Sequence, residues 1–179
     1  MTAVTRVNVI ERTKWSKRAG DEASPMLPRR VPGYSSMPQL GEAGRRHAAR
    51  FGHAPSQVSV ARCWARSVTG LPREDADVLE LLLSELVTNA LEHSASGQGG
   101  HFTVTLACLG NNVIRLAVTD AGPRYGAPPT VPHVNEVDAG LEHGRGLALV
   151  ERLSRRCGFL GVQGSPLTVW AVISRRAPR

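Results

Sequence analysis

The run Val78-Leu-Glu-Leu-Leu-Leu-Ser-Glu-Leu-Val-Thr-Asn-Ala-Leu-Glu-His-Ser94 constrains this chain more than any other stretch. Leu82, Leu86 and Ala90 recur at helical spacing, and Leu83, Val87 and Leu91 widen the apolar arc. A helix this apolar is expected to be buried on more than one side, so the rest of the chain must build layers around it. Glu85 and Asn89 stand one turn apart on one side of that helix. Burying a carboxylate costs free energy unless a donor or metal compensates it, which favours a ligand site. The plainer alternative is that the pair caps or links structural elements, or faces solvent.

Two downstream segments extend the pattern. In Asn112-Val-Ile-Arg-Leu-Ala-Val-Thr-Asp-Ala-Gly-Pro123 a strand-forming run ends at an acidic residue and a glycine. That places Asp120 at the mouth of a sheet, where it either accepts hydrogen bonds from a ligand or bonds its own turn amides. In His143-Gly-Arg-Gly-Leu-Ala-Leu-Val150 a glycine-rich turn runs into a helix. Glycine permits close backbone approach, and a helix start exposes amides that favour phosphate. Alone, Gly-Arg-Gly reads as a loop; in order after Glu85, Asn89 and Asp120 it completes a nucleotide-site constellation.

With these motifs the chain resembles the Bergerat-type ATP-binding fold of histidine kinases, DNA gyrase and heat-shock chaperones. It is most similar to the anti-sigma factor serine/threonine kinase branch, including the stand-alone regulatory ATP-binding proteins of actinomycetes. The resemblance rests on Glu85-Leu-Val-Thr-Asn-Ala-Leu-Glu-His93, Asp120-Ala-Gly122, Gly144-Arg-Gly-Leu147 and the ending Leu167-Thr-Val-Trp-Ala-Val172, and spans roughly Phe51 to Ser174. It implies an α/β two-layer sandwich with a mixed, mostly antiparallel sheet and helices on one face. It also implies that ATP and Mg2+ are cofactors, with Asn89 the metal ligand and Asp120 the acceptor for the adenine amino group. Glu85 is then the general base for a protein serine or threonine hydroxyl. Gly122, Gly144, Arg145, Gly146, Leu147 and Thr168 are the further nucleotide-binding positions, with Gly140 an outer hinge. The implied partners are an anti-anti-sigma protein, a sigma factor, or both, and homodimerisation fits the same family. His93, on the line of Glu85 and Asn89, reads as a helix-end or packing residue.

Those roles agree with the chemistry. Phosphoryl transfer needs positioning and neutralisation of spreading negative charge, and Mg2+ supplies charge that side chains provide poorly. Asn89 brings an oxygen to a metal without adding charge, and Glu85 takes the proton if it reaches the hydroxyl or an intervening water. Two features depart from the family pattern. Arg124 stands where a further glycine is usual, with Gly126 nearby, and the late glycine-threonine element is indistinct in Gly161-Val-Gln-Gly-Ser-Pro-Leu-Thr168. They favour, as an alternative, a catalytically weak, nucleotide-gated protein-binding regulator in which ATP organises residues 125 to 147.

The 179 residues suffice for one substantial domain with an appendage. Residues 1–46 lack sustained periodicity and read as a flexible basic extension, residues 47–175 as the ATP-binding domain and residues 176–179 as a basic tail. Of the net charge of +7, residues 1–50 carry +6, leaving the domain near neutral. A basic extension can touch nucleic acid, lipid or an acidic protein, but a solvated tail is the plainer reading. With three phenylalanines and two tyrosines available for base stacking, direct nucleic-acid binding is not favoured. No run is apolar enough for a secretory signal or a membrane span, so a cytoplasmic location is expected.

Further elements are expected as a helix over 55–68, strands over 102–108 and 113–118 joined at Gly110-Asn111, a helix over 147–156, and strands over 157–162 and 167–173. The proline-rich segment 125–142 reads as a mobile cover over the nucleotide. Cys63, Cys108 and Cys157 read as reduced core or semi-core residues, Trp64 and Trp170 as packing residues, and Trp15 as a docking candidate. No zinc spacing accompanies His133 or His143.

Overall fold

A computed structural model describes residues 45–109, 113–128, 145–161 and 163–174. The expectations for the extension up to residue 44, the Gly110-Asn111 connection, Gly140, Gly144, most of the cover segment and the C-terminal tail lie outside these residues. The described chain runs β1 (Arg46–Phe51), α1 (Gln57–Thr69), α2 (Arg73–His93), a single 3-10 turn (Ala95–Gly97), β2 (Phe102–Cys108), β3 (Val113–Thr119), α3 (Arg145–Leu153), β4 (Arg156–Leu160) and β5 (Thr168–Ser174).

The five strands form one sheet in the order β1-β2-β3-β5-β4. All four pairings are antiparallel, so the described sheet has no parallel pair where a mixed one was expected. Side chains alternate across a strand, so each strand presents one row to each face. Phe102, Val104 and Leu106 of β2, Ile114, Leu116 and Val118 of β3, and Val169, Ala171 and Ile173 of β5 enter the main core. The three helices cover that face. Opposite them, Ala117, Trp170 and Val172 form a smaller apolar cluster, with the Trp170 ring lying against Gly158. Trp64 and Trp170 are both packing residues, as expected.

α2 is the central post. Leu79, Leu82, Leu83, Leu86 and Val87 are all essentially inaccessible, which a single-faced helix could not achieve. The helix packs between α1 and α3 and onto β2, β3 and β5. Pro72 precedes its first turn, where a missing N–H costs nothing, and Glu74 and Asp75 there complement the positive end of the helix. Arg66 of α1 bonds Glu80 and Asp77 of α2 at 2.5 and 3.3 Å, across an exposed seam.

Two elements differ from expectation. β1 has no strand-like composition, yet it pairs with β2 along its length. Phe51 fixes it there, stacking on Phe102 at 5.3 Å and meeting Trp64 edge-on at 5.7 Å. α3 stops at Leu153 rather than continuing to Arg156. The Ser154 hydroxyl bonds back to the Val150 carbonyl at 2.5 Å, and the Arg155 N–H turns to the Val172 carbonyl at 2.7 Å, opening β4. Of the cysteines, Cys157 is buried and Cys108 partly buried, but Cys63 is exposed on α1 rather than semi-core. No described helix is long and apolar enough to cross a membrane.

Candidate functional site

Glu85, Asn89 and His93 form one line along the last two turns of α2, spanning roughly 12 Å of rise. The line has a different neighbour at each end. At Glu85 the neighbour is the start of α3: a Cβ on Gly146 would fall 2.4 Å from a Glu85 carboxylate oxygen, so a side chain there would push the carboxylate from its present position. At His93 it is the turn after β3. His93, Ser94, Asp120, Gly122, Pro123, Gly164, Ser165 and Leu167 line a small cleft there. Asn89 lies between the two, half-buried.

The Glu85 carboxylate is half-buried and no hydrogen bond reaches it among the described residues. Burial pushes its pKa above the ordinary carboxylate range, and the nearby charge of Glu92 adds to the rise. A carboxylate held in that condition is more basic than a solvated glutamate.

Asp120 continues the β3–β5 ladder by one residue, its N–H bonding the Leu167 carbonyl at 2.9 Å. One carboxylate oxygen, Oδ1, accepts from the N–H groups of Gly122 at 2.7 Å and Leu167 at 3.0 Å. Asp120 therefore does bond its own turn, but with one oxygen, and Oδ2 has no partner among the described residues. Burial raises the Asp120 pKa, and the bonds from Leu167 and Gly122 partly offset that.

Gly122 has φ +92°, in the region that side chains rarely adopt, and a Cβ there would meet Pro166 at 3.4 Å. Gly122→Ala is expected to destabilise the fold by about 1–3 kcal/mol, read as a lower melting temperature. An unchanged transition would remove the turn from its assigned place. Arg124, in place of the family's usual glycine, donates to the Glu92 carbonyl at the end of α2, and Gly126 holds the positive φ of the following turn.

The expected site residues are not all brought together. Asp120 and Gly122 share the cleft, and Glu85 meets Gly146. Leu147 is buried in the main core instead of facing the cleft. Thr168 lies on the face of the sheet away from the helices, its hydroxyl 2.8 Å from that of Thr119. Its predecessor Leu167 supplies the cleft with a backbone N–H, a contribution no side-chain motif could announce. Ser94, buried in the wall of the cleft, and Ser96, buried beside it, were also missed. Arg145 opens α3, and its side chain lies outside the described set, as does Gly144. No group of three or more His, Cys, Asp or Glu side chains among the described residues could hold a metal. A carboxamide such as Asn89, sharing a cation with phosphate oxygens, requires no such cluster.

The histidine kinase-like ATPase domain model matches residues 48–170. No curated protein is similar enough to match. Among solved structures, the crystal structure of the RsbU and RsbW domains of Rv1364c from Mycobacterium tuberculosis is similar, with a TM-score of 0.55 at 20% identity. The match covers 75% of this chain and about a third of that one, 33%, so it speaks for the fold. The helix line from Gly146 to the Asp120 cleft thus lies in a chain that belongs to the histidine kinase-like ATPase domain family.

Proposed function

We propose that the chain binds Mg-ATP between the end of α2, the Asp120 turn and the start of α3, and transfers the γ-phosphate to a serine or threonine of an anti-anti-sigma protein, and that the same surface region can hold a sigma factor. The observation that carries this reading is the Glu85 carboxylate: half-buried, bonded to nothing among the described residues, and seated against Gly146 at the start of a helix. ATP capture alone gives no reason to keep an unpaired carboxylate there, because negative charge beside phosphates weakens binding. A base for an incoming hydroxyl does. The likeness to an RsbW domain, an anti-sigma factor kinase, supports the choice of partner class.

Each residue then has a task. The free oxygen of Asp120 accepts from the adenine amino group, and Gly122 keeps the turn open to the base. The α3 start, beginning at Arg145 and Gly146, presents backbone N–H groups toward the phosphates. Asn89 directs its amide oxygen to the metal, whose charge offsets that of the phosphates. Glu85 takes the proton of the attacking hydroxyl.

Titration of ATP calorimetrically, with Mg2+ and with a chelator, tests the site. Asn89→Ala is expected to weaken binding about tenfold with Mg2+ present and to leave the chelated value unchanged. Incubation with γ-labelled ATP and a cognate anti-anti-sigma protein tests the transfer. Label on serine or threonine of the partner is the expected result. Bound ATP with no label on any cognate partner would end the kinase reading and leave a nucleotide-gated binding protein.

A further inference from the structure

Behind the Asp120 turn lies a buried hydroxyl pair that no part of the proposed chemistry uses. α2 ends at His93, the chain makes one 3-10 turn, and Ser94 and Ser96 are 4% and 0% exposed. The Ser94 hydroxyl lies 2.7 Å from the Ala90 carbonyl and 2.9 Å from the Ser96 hydroxyl, and it accepts the Ser96 N–H at 3.0 Å. Ser96 donates to the His101 carbonyl at 2.8 Å and accepts the Ala121 N–H at 2.9 Å. The Ala95 N–H bonds the Gly122 carbonyl at 2.9 Å, and Ser94 bridges to Pro123.

This wiring bears on Asp120 in a particular way. A side chain's direction is set by the two peptide planes that flank its Cα. The plane before Asp120 is fixed by the sheet, through the bond from its N–H to Leu167. The plane after it is held through the Ala121 N–H by the Ser96 hydroxyl, which comes from the 3-10 turn that follows the helix carrying Glu85 and Asn89. A serine suits the spot because one small hydroxyl both donates and accepts. An alanine there would leave the part-buried Ala121 N–H and His101 carbonyl without that partner.

We propose that Ser96 is a positioning residue for nucleotide recognition: by holding the Asp120–Ala121 peptide against the turn that follows α2, it aims the free Asp120 oxygen and so sets the preference for adenine over guanine. The proposal rests on the ATP reading above. Guanine presents a carbonyl where adenine presents its amino group, so a correctly aimed carboxylate rejects it and a misaimed one discriminates less.

The test is the ratio of ATP to GTP affinity, titrated at a temperature where circular dichroism shows each protein folded. For Ser96→Ala the ATP affinity is expected to fall about tenfold with GTP affinity little changed, so the ratio contracts by the same factor. A purely structural serine would lower the melting temperature and leave the ratio intact, and that result would overturn the proposal. Asp120→Asn separates the two layers. If the wild type shows no preference for ATP, the ATP reading falls and takes the Ser96 role with it. If Asp120→Asn abolishes the preference while Ser96→Ala keeps it, the Ser96 role alone is refuted. Should Ser96→Ala not fold, Ser94→Ala removes one of the groups around the Ser96 hydroxyl and leaves the Ala121 acceptor in place. A smaller contraction of the ratio is then expected, and an unchanged ratio counts against the proposal.

Discussion

Glu85→Gln is expected to slow phosphate transfer to the partner by about 100- to 10,000-fold while leaving ATP affinity within a few-fold of wild type. Glutamine keeps the shape that fits against Gly146 but cannot take a proton from the incoming hydroxyl. Single-turnover transfer from labelled ATP measures this directly, and equal rates in variant and wild type would strip Glu85 of its role. The same substitution has a stability signature of opposite sign. The folded-state pKa of Glu85 is raised, by burial first and by Glu92 second, so the charged form is disfavoured in the folded protein. Its contribution to stability is fully present below the unfolded-state pKa and is lost as pH rises through the folded-state value. The glutamine variant should therefore melt higher than wild type at neutral pH, with the gap closing as the solution is acidified. A site residue that weakens the fold it sits in is the pattern expected of a group kept for chemistry.

The fold was legible where residue type and local structure agree. The α2 run announced itself by apolar spacing, and β2 and β3 by Val, Ile, Leu and Thr, with boundaries close to those observed. β1 was not legible, because Arg-His-Ala-Ala-Arg-Phe carries no local strand signal. Its state comes from pairing with β2 and from Phe51 finding Phe102 and Trp64, contacts that sequence order does not reveal. The end of α3 was misplaced because Arg155 and Arg156 suit a helix locally, whereas the backbone partner offered by Val172 decides otherwise.

The site divides along the same line. Glu85, Asn89, Asp120 and Gly122 were visible because each is an unusual residue type at its position. Two of their partners were not, because they act through a backbone group or a common side chain: the Leu167 N–H and the Ser96 hydroxyl. Thr168, expected either at the nucleotide or as a plain strand residue, is placed in β5. Its chemistry fits a nucleotide site, but the two-residue alternation of β5 turns it to the far face, to Thr119.

Asp120→Asn should reduce ATP affinity about 100-fold without unfolding the protein. In the proposed role the carboxylate has two separate duties: Oδ1 accepts the N–H groups of Gly122 and Leu167, and the other oxygen, without a partner among the described residues, would accept from the base. Asparagine can satisfy only the first. Its carbonyl oxygen must stay on the two backbone donors, since leaving both unmet in a part-buried turn is costly. Its NH2 group then faces the adenine amino group, donor against donor. Affinity in the wild type should also decline on acidification at a higher pH than an ordinary aspartate would give, because burial raises the Asp120 pKa more than its two backbone bonds lower it. Protonation removes the acceptor, so binding is retained above that pKa and lost below it, and the asparagine variant should lack this acid limb. Calorimetric titration of both proteins across the acid range measures the two effects together. An asparagine variant that binds ATP as tightly as wild type would mean that the base is recognised elsewhere, and that Asp120 serves only to close the turn between β3 and β5.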